Sequence, residues 1–218
     1  MISRTLILTI SSLTFALGNS CKAPEPQAGF THETYSGVWY EIAKFQTAGG
    51  AFWEKDCVCT HLNVTTNEQN VFQADNICNN KVPTGKITSV VGKLIDETPN
   101  HPGRFKQQIF SFLPPVDYTV LYLGNFTNDQ GEVEEYSVEY DCTEGFLTEY
   151  NYCVHFLSRK PTMSKQLLDK LIEDITKLNL NDENLDLTIS QQNGCWNKSS
   201  SSTPTAVDSI NMISEIIQ

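Results

Sequence analysis

The 218-residue chain carries 26 Asp and Glu against 15 Lys and Arg, a formal charge of −11. That length suits one globular domain with short extensions, and 39% hydrophobic with 19% charged residues excludes both a disordered chain and a multispanning membrane protein. The acidic balance repels phosphate backbones and anionic membrane surfaces, so nucleic acid is disfavoured as a partner.

Residues 1–20 have the layout of a secretory leader. Arg4 supplies a positive start, Thr5 to Leu17 an apolar run, and Gly18, Asn19 and Ser20 small or polar residues before a cut. The run is shorter than the roughly 20 residues a membrane span needs, so no span is expected and the mature chain should begin near Cys21. Sequons at Asn63, Asn125 and Asn197 agree with an extracellular destination. So do the cysteines. Cys21, Cys57, Cys59, Cys78, Cys142, Cys153 and Cys195 imply disulfides with one thiol left over. No metal site is expected, because Cys57 and Cys59 are closer than a Cys-x-x-Cys pair and no second pair stands at ligand spacing.

From Tyr35 to Arg159 the chain alternates short runs rich in Val, Ile, Tyr, Phe and Thr with Gly, Asn, Pro and Asp clusters, the pattern of consecutive antiparallel strands. Eight strands are predicted, at about 37–45, 57–66, 70–78, 86–95, 104–112, 118–125, 133–141 and 150–158. In the second, Val58, Thr60, Leu62 and Val64 share one face, with Cys57, Cys59, His61 and Asn63 on the other. A hairpin pairing Thr66 with Val71 would set Cys59 opposite Cys78, close enough to bridge. After Arg159 the period changes: Leu167, Leu168, Leu171, Ile172, Ile175 and Leu178 mark an amphipathic helix entered through Pro161, Thr162 and Ser164. Leu185, Leu187 and Ile189 alternate with polar residues, as in a short ninth strand. A Ser/Thr-rich linker and a terminal tail occupy residues 197–218, leaving 21–196 as the domain.

The architecture that follows is all-β: an eight-stranded up-and-down antiparallel barrel with one C-terminal helix and a short ninth strand. Its sequence landmarks are Gly37-Val38-Trp39, Tyr140-Asp141-Cys142 and Phe156-Leu157-Ser158-Arg159. Here the chain resembles the lipocalin family, in particular its apolipoprotein D, insect bilin-binding and crustacyanin branch. The resemblance implies that Gly37, Trp39 and Arg159 are structural residues closing the barrel floor. Arg159 would lie as a cation over the Trp39 ring. It also implies disulfides Cys21–Cys142 and Cys57–Cys195, to which the hairpin register adds Cys59–Cys78 and leaves Cys153 free.

Counting back from Arg159 by twos places Leu157, His155 and Cys153 on the inward face; counting forward from Trp39 places Glu41 and Ala43 there. Val58, Leu62 and Val64 on the second strand, with Tyr118, Val120 and Tyr122 on the sixth, complete the expected ligand-binding wall alongside Cys153 and His155. Phe52 and Trp53 lie where a loop would cover the barrel mouth. A secreted carrier of a small hydrophobic ligand in the lumen is the function implied, for a bilin, carotenoid, fatty acid, sterol or retinoid, with no cofactor required and no catalytic residue. Alternatives are a haem-binding or thiol-dependent enzymatic lipocalin using His155 or Cys153, and an interaction protein acting through its acidic surface or tail. Monomer and homo-oligomer are both open at this point.

Overall fold

The computed structural model describes residues 20–69, 71–144 and 150–196. The expected leader, the linker and tail, and Asn197 lie outside them, save Ser20. Nine strands form one antiparallel sheet: β1 (Gly37–Gln46), β2 (Cys57–Thr66), β3 (Phe72–Asn80), β4 (Ile87–Asp96), β5 (Arg104–Gln108), β6 (Val116–Thr127), β7 (Val133–Glu144), β8 (Tyr150–Ser158) and β9 (Thr188–Ile189). Sequential neighbours pair, and β1 bonds both β2 and β8, so eight strands close on themselves and leave no free edge. The two-residue β9 pairs with Ala43 and Lys44 of β1. A short helix α1 (His32–Tyr35) precedes the barrel, and α2 (Lys165–Lys177) follows it. Strand β5 ends at Gln108 instead of continuing to residue 112. Gln108 turns its side chain onto the carbonyls of Phe110 and Leu113, and Pro114 and Pro115 cannot donate to a ladder.

Three register shifts re-aim side chains: Glu41/Ala43 in β1, Val58/His61 in β2 and Val120/Tyr122 in β6. Each is a bulge, and one extra residue moves every later side chain to the other face. Ala43 therefore does not face in as alternation from Trp39 suggests; it packs outside under α2, while Lys44 turns inward. In β2 the hairpin pairs Thr66 with Phe72, one residue from the expected register, and the shift between Val58 and His61 leaves Cys59 and Thr60 outside the ladder. It also lifts Cys59 into a left-handed conformation, φ 58°, whose N–H donates to the Gln191 carbonyl at 2.8 Å.

The disulfides change accordingly. The structure joins Cys21 to Cys142, Cys57 to Cys78 and Cys59 to Cys195. Cys59–Cys78 and Cys57–Cys195 are thus both replaced, because the bulge turns Cys59 toward the segment after β9 and leaves Cys57 to reach across the hairpin. Cys153 is the free thiol, fully buried.

Two apolar clusters flank the barrel wall. The outer one sits under α2, whose Leu167, Leu171 and Ile175 are buried against Ala43, Phe45, Val138, Tyr140, Tyr152, Val154 and Phe156. The Ser164 hydroxyl caps this helix by accepting from the Leu167 N–H at 3.2 Å. The inner cluster fills the closed end with Phe30, Tyr35, Trp39, Leu62, Val64, Phe72, Phe105, Tyr118, Val120 and Leu157. There the Arg159 guanidinium lies 3.5 Å from the Trp39 ring centroid and donates to the carbonyls of Thr34, Ser36 and Val38 at 3.1, 2.8 and 3.0 Å. Gly37 has φ +103°, and a Cβ there would stand 3.0 Å from Arg159 Nη1, so glycine serves both the turn and the clamp.

Candidate functional site

Above that apolar floor the middle of the barrel is polar. Strand β7 sends Val138, Tyr140 and Cys142 outward into the α2 cluster, which leaves Ser137, Glu139 and Asp141 facing in. Strand β8 does the same with Tyr152, Val154 and Phe156 outward and Cys153, His155 and Leu157 inward. The bulge in β1 contributes Glu41 and Lys44, and the 3-10 turn Phe52–Glu54 contributes Glu54. All of these polar groups are buried.

His155 is the hub. Its Nδ1 lies 2.7 Å from Glu41 Oε2, its Nε2 lies 3.1 Å from Asp141 Oδ2, and the Cys153 Sγ is 3.8 Å from Nδ1. Lys44 Nζ donates to Glu54 Oε2 at 2.6 Å and stands 3.4 Å from Glu41 Oε1. Ser190 donates to Glu41 as well. One step lower, Tyr35 donates its hydroxyl to Glu139 and sits 2.6 Å from the Tyr118 hydroxyl. Desolvated charges are sustained only by this kind of mutual pairing.

The pairing sets the charge states. Burial pushes the Glu41 carboxyl up, but Lys44 and the bond to His155 outweigh it and hold its pKa at about 2. Burial opposes the His155 imidazolium too, and Cys153 beside it together with the bonds to Asp141 and Glu41 raises it well above its usual value. Burial lifts the Glu139 pKa to about 7, against the lowering pull of nearby His155. Burial likewise pushes the Cys153 thiol to about 12.

This network leaves little room. The interior cavity, lined by Glu41, Thr60, Leu62, Tyr118, Asp141 and His155, is about 20 Å³, the space of one water or ion. A much larger cavity of about 400 Å³ opens at the mouth. Its lining combines apolar surface from Ala51, Trp53, Ile109, Phe110, Leu113 and Val116 with the carboxylates of Asp117, Asp141 and Glu144. Trp53 and Asp141 line both cavities and mark the boundary between them.

Of the residues expected to bind ligand, Leu62, Tyr118 and His155 line the interior cavity. Cys153 joins them through His155. Val64 and Val120 lie lower, in the floor cluster, and Val58 is half-buried and lines neither cavity. Tyr122 is on the outside against the α2 cluster, turned there by the β6 bulge. The cavity beside His155 is far smaller than a porphyrin, which counts against a haem there; the buried thiol of Cys153 lacks the exposure a nucleophile needs. Lys44, Glu54, Glu139 and Asp141 were missed. For Glu139 and Asp141 the signal is the alternation Ser137-x-Glu139-x-Asp141, whose polar side faces in because α2 claims the apolar side; Lys44 is turned inward by the β1 bulge and Glu54 stands on an irregular turn, so neither carries a period. Of the sequons, Asn63 is half-buried on β2 and Asn125 is exposed on β6.

No protein-family model matches the chain. Apolipoprotein D of Rattus norvegicus is 27% identical over 186 residues, covering 82% of this chain and 89% of that protein. Insecticyanin from the tobacco hornworm Manduca sexta superposes with a TM-score of 0.56 at 17% identity, covering 79% of this chain and 86% of its own. Lobster apocrustacyanin A1 superposes at 0.52 with 15% identity over 74% of this chain and 79% of its own. The chain is thus similar to apolipoprotein D over most of its length and has the lipocalin-like barrel fold of insecticyanin and the crustacyanins.

Proposed function

We propose that the protein is a secreted, extracellular carrier that holds one small hydrophobic molecule at the barrel mouth. The observation that carries this is the contrast in space: about 400 Å³ at the mouth against about 20 Å³ in the interior. The larger volume falls within the range of small-molecule sites, and Ile109, Phe110, Leu113 and Trp53 offer the apolar surface whose removal from water drives such binding, about 25 cal/mol per Å² before ordering costs. Asp117, Asp141 and Glu144 line this cavity and, among the described residues, no Lys or Arg does, so nothing in the lining would hold an anionic head group and a sterol or retinoid alcohol fits it better than a fatty acid. Three disulfides and the exposed sequon at Asn125 support the extracellular assignment.

An environment-sensitive apolar fluorophore should bind the mature chain with one copy per barrel and be displaced by retinol or a sterol more readily than by a long-chain fatty acid. The double variant Ile109→Gln/Leu113→Gln should weaken binding by about tenfold or more, from the loss of roughly 1.5–3 kcal/mol of apolar contact. Undiminished binding in that variant would place the ligand elsewhere.

A further inference from the structure

We propose that Asp141, Cys153 and His155 form a buried binding site for a single borderline-soft divalent cation of the Zn²⁺ class. One ligand atom from each of the three lies within 4.8 Å of the others. A tetrahedral ion with bonds of about 2.0–2.3 Å to N, O and S draws such atoms together with side-chain adjustments on the order of 1 Å. The three come from adjacent strands of a closed barrel, with Asp141 directly paired to Cys153 and His155 two residues on, so the backbone presents them as a fixed set.

Thr60 supplies an independent sign that this space is built for a polar guest. It is 4% exposed, lines the 20 Å³ cavity together with Asp141 and His155, and its hydroxyl has no hydrogen-bond partner among the described residues. An orphaned buried hydroxyl is costly unless something polar occupies the cavity. The volume admits an ion and no organic molecule.

Donor chemistry selects the ion. One thiolate, one imidazole and one carboxylate suit zinc or cobalt, whereas magnesium and calcium require more oxygens than stand here. A second set, Glu41, Glu54 and His155, is equally close, but Lys44 already holds both of its carboxylates as ion pairs. Asp141, by contrast, has His155 as its side-chain partner and keeps lone pairs to spare. Glu41, bonded to the ring, orients the imidazole. Binding would displace the thiol proton of Cys153 and the extra ring proton of His155 to solvent, leaving a neutral imidazole and a thiolate on the metal. Entry runs from the mouth past Asp141 and Trp53, which line both cavities.

The test is a Co²⁺ titration of the tag-free, disulfide-intact mature protein after chelator treatment, read by absorption. The other six cysteines are in disulfides, so a cobalt–thiolate charge-transfer band reports Cys153 alone. We expect that band, with four-coordinate ligand-field bands, to saturate at one equivalent and to vanish on addition of Zn²⁺. Cys153→Ser should abolish the charge-transfer band, and Glu41→Gln should weaken cobalt binding by about 10- to 100-fold. Wild-type protein that shows no thiolate band at saturating cobalt overturns the site, whether or not the variants fold; so does a band that persists in Cys153→Ser.

Discussion

Strands β7 and β8 present two opposite chemistries from alternating residues of the same two strands. Outward, Val138, Tyr140, Tyr152, Val154 and Phe156 pack dry against α2; inward, Glu139, Asp141, Cys153 and His155 make a buried ionic cluster. The comparison separates what holds this barrel together from what differentiates it. Apolar packing beneath the helix is non-directional and adds stability in proportion to area, whereas the inner cluster is sustained only if every partner is present.

Predictions that break this comparison begin with the outer face. Phe156→Ala, at a side chain with no exposed surface, should cost about 4 kcal/mol by urea unfolding, from lost transfer energy plus the cavity left behind. On the inner side, Lys44→Met strands the Glu54 and Glu41 carboxylates and should cost about 3 kcal/mol. Adding Glu54→Leu to it should restore most of that loss, since an apolar pair replaces an ion pair at little net cost. No such rescue exists for Phe156→Ala, and a double variant no better than Lys44→Met would show the two regions to be energetically alike.

The smallest effect lies where the regions meet solvent, at the start of α2. Glu134 accepts from the Ser164 N–H at 2.7 Å and from Asn128 at 2.9 Å. Burial tends to raise its pKa, yet these donors hold it below its ordinary 4.5. A depressed carboxylate adds stability that is fully present above the unfolded-state value and is lost as pH falls through the folded one. Glu134→Gln should therefore cost about 1 kcal/mol at neutral pH and converge on wild type in acid. A constant difference across that range would contradict the assignment.

The fold was legible because period-2 runs, turn clusters and the helical spacing after Arg159 each point to one element, and because Gly37, Trp39 and Arg159 have one good mutual arrangement. Face assignment was legible only up to each bulge. Beyond Glu41, Val58 and Val120 an inserted residue exchanges in for out, which hid Lys44, moved Tyr122 outside and rearranged the pairing of Cys57 and Cys59. Alternation also says that two faces differ without saying which is the lumen. Asp141 and Glu139 were thus readable as polar positions and not as interior ones, until α2 was seen to cover their neighbours. The mouth cavity was least legible, since Ile109, Phe110 and Leu113 belong to an irregular turn that carries no period.

A charged, filled interior directs an apolar ligand to the mouth. Tryptophans mark the two levels: Trp53 borders the mouth cavity, and Trp39 lies in the floor cluster. A brominated sterol or retinoid quenches indole emission only on contact, so its titration into wild type and into Trp53→Phe reports directly which level it reaches. The account predicts strong quenching in wild type that is largely lost in Trp53→Phe while binding persists. Quenching that survives in Trp53→Phe and disappears in Trp39→Phe would put the ligand deep in the barrel and contradict it.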